Sequence, residues 1–330
     1  MNKNHIKYLV CPDCKGELSF QEIIEFKENE IKSGTIYCDN CRKNFEIYNH
    51  IPRFVNRENY ASSFGYQWLK HSKTQYDSYS GVSVSEDRFV NETKWGNNLK
   101  GEIMLEAGCG AGRFTEQAVK TGALVISFDY SYSVEANYEN NGGNENLLIL
   151  QADIYSMPFE NNFFDKVLCI GVLQHTPDVN KSFIELTKVV KKGGSLVVDI
   201  YRKYEKFYKT WNSKYVFRFF SDKISSDKLY KFCVWYVDFM RPIAKVLYKL
   251  PKGWWIAWKI LMIVTYRDRF SFLSEDIQRE WCILDTFDKL APAYDKPQKL
   301  DTLKKWYDES GFSEYEVFPG YNGITGRGIK

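Results

Sequence analysis

Between Glu102 and Tyr201 five short apolar runs, EIMLEA, ALVISFD, LLILQAD, KVLCIGVL and SLVVDIY, alternate with stretches of helical character. A strand that reads as nearly continuous hydrophobe is buried on both faces, and the intervening helices are what bury it. The alternation therefore predicts an α/β fold, a mostly parallel sheet with helices on both faces. Two more runs, EYEVF and GITGRGI, follow LDTLKKWYDESGF, which reads as a helix ending at Gly311. They bring the expected total to a seven-stranded sheet. At 330 residues and 44% hydrophobic content the chain can bury a sizeable core, which excludes disorder. No run of 18 apolar residues is present, and MNKNHIKYLVCPDC lacks the apolar core of a signal peptide, so a cytoplasmic location is expected.

The cysteines constrain the first 55 residues. Cys11-Pro-Asp-Cys14 and Cys38-Asp-Asn-Cys41 are two C-x-x-C pairs separated by 23 residues. Each pair turns a tight knuckle that aims two sulfurs at one point, and two knuckles close a tetrahedron. Four thiolates leave no open position, so zinc is expected here as a structural ion. Between the knuckles two β runs are broken by Glu28-Asn29-Glu30, and Asn49-His50-Ile51-Pro52 reads as a turn and domain exit, with His50 at the surface. So small a unit is expected to rely on metal for much of its stability. Cys109, Cys169, Cys233 and Cys282 have no metal-ligand spacing and read as buried, unpaired thiols.

The chemistry-bearing residues cluster at strand ends. The first run closes on Glu106-Ala107-Gly108-Cys109-Gly110-Ala111-Gly112, and a helix is predicted from about Arg113 to Lys120. Glycines at 108, 110 and 112 let the backbone turn sharply and approach a ligand at a helix N-terminus. The spacing is not the G-x-G-x-x-G of nicotinamide-binding domains. The second run ends at Asp129, 21 residues past Gly108, where a carboxylate can accept from ribose hydroxyls.

Together, EAGCGAG, FDYS, ADIYSMPFENNFFDKV, VLQHTPD and KKGGSL resemble the class I S-adenosylmethionine-dependent methyltransferases, with their Rossmann-like sheet. The resemblance implies S-adenosylmethionine as cofactor. It places Gly108, Gly110 and Gly112 under the methionine part and Glu106 on water or the amino group. Asp129 would take the ribose hydroxyls, Tyr130 would flank the adenine, and Asp153 with Ile154 would meet the adenine edge. Ile170 and Gly171 would lie beneath the sulfonium. LVCPDCKGEL and IYCDNC resemble the small zinc-ribbon activators of tRNA and release-factor methyltransferases. SSFGYQWLKHSKTQYDS and DTFDKLAPAYDKP resemble bacterial ribbon–methyltransferase fusions of surface-sugar or secondary-metabolite pathways. In such fusions FGYQW lies over the cofactor, which adds Gln67 and Trp68.

Methyl transfer is an in-line displacement that needs alignment and water exclusion, and an oxygen or nitrogen acceptor also needs a base. His175 is the candidate base, with Tyr294 and Asp295 as alternatives. Thr176-Pro177-Asp178 equally reads as a helix start with Thr176 as N-cap, which His175 would trim.

The chain then divides as ribbon (1–55), cap and cofactor-binding half (56–200), insertion (201–270) and C-terminal part (271–330). Tyr201–Phe270 holds sixteen Lys/Arg against five Asp/Glu and twenty aromatics, although the whole chain carries only +3. The favoured reading of this insertion is a helical lid over the substrate cleft or a contact with a second copy. The alternative is a segment lying in a membrane interface, since the 13 apolar-rich residues Trp254–Tyr266 are too few to span a bilayer. The expected reaction is methyl transfer to a small molecule, an oxygen of a sugar or secondary metabolite. An RNA methyltransferase is second: GVLQHTPD is not the Asn/Asp-Pro-Pro-aromatic pattern of base-amine methylation, and nucleic acid is disfavoured as partner. A non-catalytic binding scaffold is third.

Overall fold

The computed structural model describes residues 1–27, 30–206, 211–221, 223–266 and 272–330. Parts of the predicted insertion, 207–210, 222 and 267–270, lie outside the described residues.

The five apolar runs form parallel strands β5 (Ile103–Ala107), β6 (Leu124–Asp129), β7 (Leu147–Gln151), β8 (Phe164–Ile170) and β9 (Val190–Ile200). β10 (Glu314–Pro319) and β11 (Ile324–Ile329) form an antiparallel hairpin, and β11 pairs antiparallel with β9. Spatially the order is β7-β6-β5-β8-β9-β11-β10. The chain winds outward from β5 through β6 to β7, then restarts on the other side at β8. The carboxyl ends of β5 and β8 therefore flank a topological switch point, where an open α/β sheet places its ligand.

The expectation of seven strands is corrected to eleven. β1 (Leu18–Lys27), β2 (Glu30–Cys38), β3 (Asn44–Tyr48) and β4 (Ile51–Arg53) continue the same sheet beyond β7. Asn49 and His50 both have positive φ, 49° and 68°, and form the two-residue turn that suits a tight hairpin between β3 and β4. Ile51 and Pro52, read as a turn and domain exit, belong to β4. That strand pairs parallel with β7 at Arg53 and Gln151, and the Phe54 amide donates to the Gln151 carbonyl at 2.9 Å. Nor is His50 a surface residue: it stacks on Tyr138 at 4.9 Å with an 8° interplanar angle.

The ribbon also shares its core with the larger domain. Ile31, Ile36 and Ile47 are fully buried in one cluster with Leu148, Leu150 and Phe159. Each such side chain contributes roughly 1.5–3 kcal/mol by leaving water. Metal is thus one support of the ribbon among several.

Helices cover the sheet and frame its open end: α1 (Ser62–Lys70), α2 (Asp77–Ser80), α3 (Val84–Thr93), α4 (Arg113–Lys120), α5 (Val134–Asn141) and α6 (Val179–Val189). After β9 come α7 (Lys214–Ser221), α8 (Ser226–Leu247), α9 (Gly253–Lys259), α10 (Glu275–Leu290) and α11 (Leu300–Glu309). Leu229, Cys233, Val237, Ala257, Cys282 and Phe287 are buried together, so α8, α9 and α10 form a helical unit with a core of its own. Among the described residues no helix is long and apolar enough to cross a membrane.

Candidate functional site

A cavity of about 500 Å³ opens at the switch point. Gly108 and Gly110 at the end of β5, Asp129 and Tyr130 at the end of β6, and Ile154, Ile170 and Gly171 lie in its wall. Gln67 and Trp68 of α1 complete it from above. The loop glycines have no space for a side chain: a Cβ on Gly108 would stand 2.3 Å from Val172, and one on Gly110 would meet the Trp68 indole at 3.0 Å. Both residues have positive φ, 78° and 54°. Gly112 lies outside the cavity wall, where the loop presses against Asn137 of α5.

The three carboxylates differ in setting. Asp129 accepts from the Gly110 amide at 3.0 Å, and from the Ser131 amide and hydroxyl at 2.8 and 2.7 Å. Burial raises its pKa, and these hydrogen bonds oppose the rise. Glu106 lies behind the loop and does not line the cavity; it accepts from the Thr115 and Ser127 hydroxyls. Burial pushes it up to about 7, with the nearby Asp129 charge adding to the effect. Asp153 also lies outside the cavity wall and accepts from the Tyr155 amide at 2.9 Å. Tyr60 lines the cavity, packed on Tyr130 at 4.8 Å and held un-ionised by burial and by the Asp153 charge.

His175 is buried in a single-turn 3-10 helix, Leu173–His175, and lines the cavity. Its Nδ1 is 2.9 Å from the Tyr294 carbonyl, which can only accept, so Nδ1 carries the proton and Nε2 keeps the lone pair. Burial lowers its pKa, which favours that neutral form. The alternatives are otherwise engaged: Tyr294 packs edge-on against Tyr60, and Asp295 pairs with Lys214 at 2.5 Å. The N-cap of α6 is Asp178, whose side chain accepts from the Lys181 amide, rather than Thr176. Asp178 is itself extended (φ −140°, ψ 105°), so the helical run begins only at Val179.

Sequence reasoning missed the wall opposite the loop. Trp281, Asp285 and Asp288 recur at steps of four and three on α10 and share one face toward the cavity. Asp288 accepts from Tyr201 at 3.2 Å and from Gln67 at 3.4 Å, and Asp285 accepts from Tyr266. Trp258, Val264 and Tyr266, all within the predicted insertion, line the same cavity as Gly108 and Asp129. Arg88 and Arg113 supply cations. Arg88 is buried and paired with Glu92 and Asp199 at 2.9 and 3.0 Å. Arg113 lies over the Phe114 ring at 4.6 Å, with no carboxylate at ion-pair distance among the described residues. Burial and the like charge of Arg88 pull it down to about 10.

At the other end of the chain, Cys11, Cys14, Cys38 and Cys41 hold their sulfurs within 4.8 Å of one another. Cys11–Cys41 and Cys14–Cys38 stand 3.5 Å apart as free thiols. Each knuckle closes with a left-handed residue, Lys15 (φ 58°) and Arg42 (φ 61°). A Cβ on Gly16 would press on the Cys14 and Cys38 sulfurs at 3.3 and 3.4 Å. The donor set is soft and four-fold, which suits a tetrahedral metal ion. The four other cysteines are buried free thiols.

Comparison with known proteins matches residues 105–198 to a methyltransferase domain and residues 3–49 to a Trm112p-like protein. A demethylmenaquinone methyltransferase of Thermobifida fusca is 32% identical over 101 residues, 30% of this chain and 43% of that protein. A ubiquinone biosynthesis O-methyltransferase of Coxiella burnetii is 31% identical over 123 residues, 36% of this chain and 53% of that protein. The chain thus spans about half the length of these curated relatives. A chain from the solved complex containing the Haloferax volcanii Trm112 methyltransferase activator aligns over 83% of this chain and 98% of its own, at 10% identity and a TM-score of 0.45. The chain joins a Trm112p-like domain carrying a four-cysteine cluster to a methyltransferase domain with a Rossmann-like α/β sheet.

Proposed function

We propose that this chain is an S-adenosylmethionine-dependent methyltransferase acting on a small molecule. The observation that carries this reading is the meeting of the Gly108–Gly110 loop, Asp129 and His175 in one cavity. The cofactor fits the residues present. Gly108 and Gly110 leave room for close backbone approach, and Asp129 keeps acceptor capacity for ribose hydroxyls beyond its present bonds. Tyr60 and Tyr130 offer ring faces for the adenine, and Ile170 with Gly171 floors the cavity. When bound, the cofactor supplies a methyl group already activated by its sulfonium.

The protein's part is to align, to exclude water and to move one proton. α1 covers the cleft and is tied to α10 through Gln67 and Asp288. His175 Nε2 takes the acceptor's proton, and the Tyr294 carbonyl holds the ring in the required tautomer. Asp285, Asp288, Tyr201, Tyr266 and Trp258 form the acceptor side. Carboxylates and aromatic rings together complement the hydroxyls and apolar faces of a sugar or polyhydroxylated metabolite, which supports oxygen as the atom methylated. The part of the 201–270 segment that carries Trp258, Val264 and Tyr266 acts as the lid. In the ribbon, Cys11, Cys14, Cys38 and Cys41 hold zinc in a structural role.

The Trm112p-like match favours a second reading, RNA as acceptor. Calorimetric titration with S-adenosylmethionine tests the cofactor. Transfer of label from it to nucleotide sugars, against bulk tRNA, tests the acceptor. Absence of cofactor binding overturns the whole reading; labelled tRNA with unlabelled sugars overturns the small-molecule part.

A further inference from the structure

Helix α8 carries two apolar stripes. Leu229, Cys233, Val237 and Ala244 are buried toward α9 and α10. The other stripe, Phe232, Trp235, Phe239, Ile243 and Val246, recurs at steps of three and four and therefore lies on one face. It faces solvent: Trp235 is 59% exposed, Phe239 57% and Val246 61%. The Trp235 and Phe239 rings stack on each other, 5.9 Å apart at 7°. At 1.5 Å per residue the stripe, Phe232 to Val246, is about 21 Å long. Phe219 and Phe220 of α7 and Trp254 of α9 add further exposed rings. A surface of this extent has an occupant.

Charge identifies it. Ser226–Ile260 holds seven Lys/Arg and two Asp/Glu. Both acids are already engaged, Asp227 by Lys231 and Asp238 by Arg279, and Glu275 is held by Arg241 and Lys245. Lys228, Lys249 and Lys252 have no carboxylate at ion-pair distance among the described residues. A two-fold contact between copies would set this positive surface against itself. An anionic bilayer accepts both features, since rings enter the headgroup–acyl boundary while lysines reach the phosphates.

We propose that the exposed face of α8 docks this protein peripherally on an anionic lipid surface. The docking helices belong to the unit whose Trp258 and Val264 line the cavity, so the docked face and the candidate site share a wall.

The test uses the full chain without cofactor, so its outcome is independent of methyl transfer. Vesicles of phosphatidylcholine alone, and of phosphatidylcholine with phosphatidylglycerol, are sedimented with the protein. Binding is expected to the anionic vesicles, to weaken as salt rises, and to shift tryptophan emission to the blue. Trp235→Ser with Phe239→Ser is expected to lower partitioning at least roughly tenfold, with circular dichroism unchanged because both side chains are more than half exposed. Lys249→Glu with Lys252→Glu is expected to weaken binding at low salt and much less at high salt. Failure of the unaltered protein to bind anionic vesicles overturns the proposal, as does unchanged binding of the Trp235/Phe239 variant. A dimer in light scattering that this variant converts to monomer, without vesicle binding, assigns the face to a second copy instead.

Discussion

Glu106→Gln makes a test of the site's electrostatics that can be read without a substrate. Glu106 is 3% exposed, and its hydrogen-bond partners, Thr115 and Ser127, are fully buried hydroxyls. Burial raises its pKa from 4.5 to about 7. The folded state therefore binds a proton more tightly than the unfolded chain, and stability from this group is full below pH 4.5 and lost as pH rises through 7. At 1.36 kcal/mol per unit, the loss above pH 7 is about 3 kcal/mol. Glutamine keeps a carbonyl oxygen for the two hydroxyls and carries no charge. The variant is expected to exceed the parent by about 1 kcal/mol or less near pH 5 and by up to about 3 kcal/mol near pH 8. Urea denaturation of both proteins between pH 5 and 8 measures this directly. If Glu106 also holds the cofactor's amino group, the stabilised variant binds S-adenosylmethionine more weakly, a stability gain set against function. A parallel pair of pH–stability curves, or a variant less stable at pH 8, refutes the reasoning.

Three further outcomes are expected. Asp129→Ala removes a charged acceptor and weakens S-adenosylmethionine binding by about 1.5–3 kcal/mol in calorimetry, without abolishing folding. His175→Gln lowers methyl transfer by roughly 100-fold or more. In the parent the rate rises with pH through a value below 6.5 and is level above it. The His175 contribution to stability is likewise full above 6.5 and lost as pH falls through its lowered folded-state pKa, a slope that His175→Gln removes. Elemental analysis gives about one zinc per chain and less in Cys38→Ser, and this variant melts in one transition because ribbon and sheet share a core; two separated transitions refute the shared-core account.

Strands β5 to β9 are legible in the sequence because each is an apolar run bounded by turn residues, and the knuckles because C-x-x-C spacing is itself geometric. α4 starts at Arg113, immediately after Gly112, for the same local reason. β3 carried a readable signal, since Asn44-Phe45-Glu46-Ile47-Tyr48 alternates exposed and buried, but five residues are short evidence. β4 was not legible: Ile51-Pro52-Arg53 is three residues long with a proline at its centre, and its partners are β3 across a two-residue turn and β7, nearly 100 residues later. Tyr60, Arg88, Arg113, Asp285 and Asp288 reach one cavity from four separate elements and loops, and no local pattern announces such a meeting. The period of Trp281, Asp285 and Asp288 shows a helix face, but not what it faces.

The pairing of β4 with β7 has a consequence for stoichiometry. A strand edge left open invites whatever extended chain is at hand. A ribbon made as a separate chain would fill that edge only in proportion to its concentration and affinity. Here the filler is carried on the same chain as its seat, so every molecule is made with its edge already closed. Supply of ribbon and supply of sheet are fixed at one to one by translation, and a free ribbon peptide added to this protein finds no place to bind.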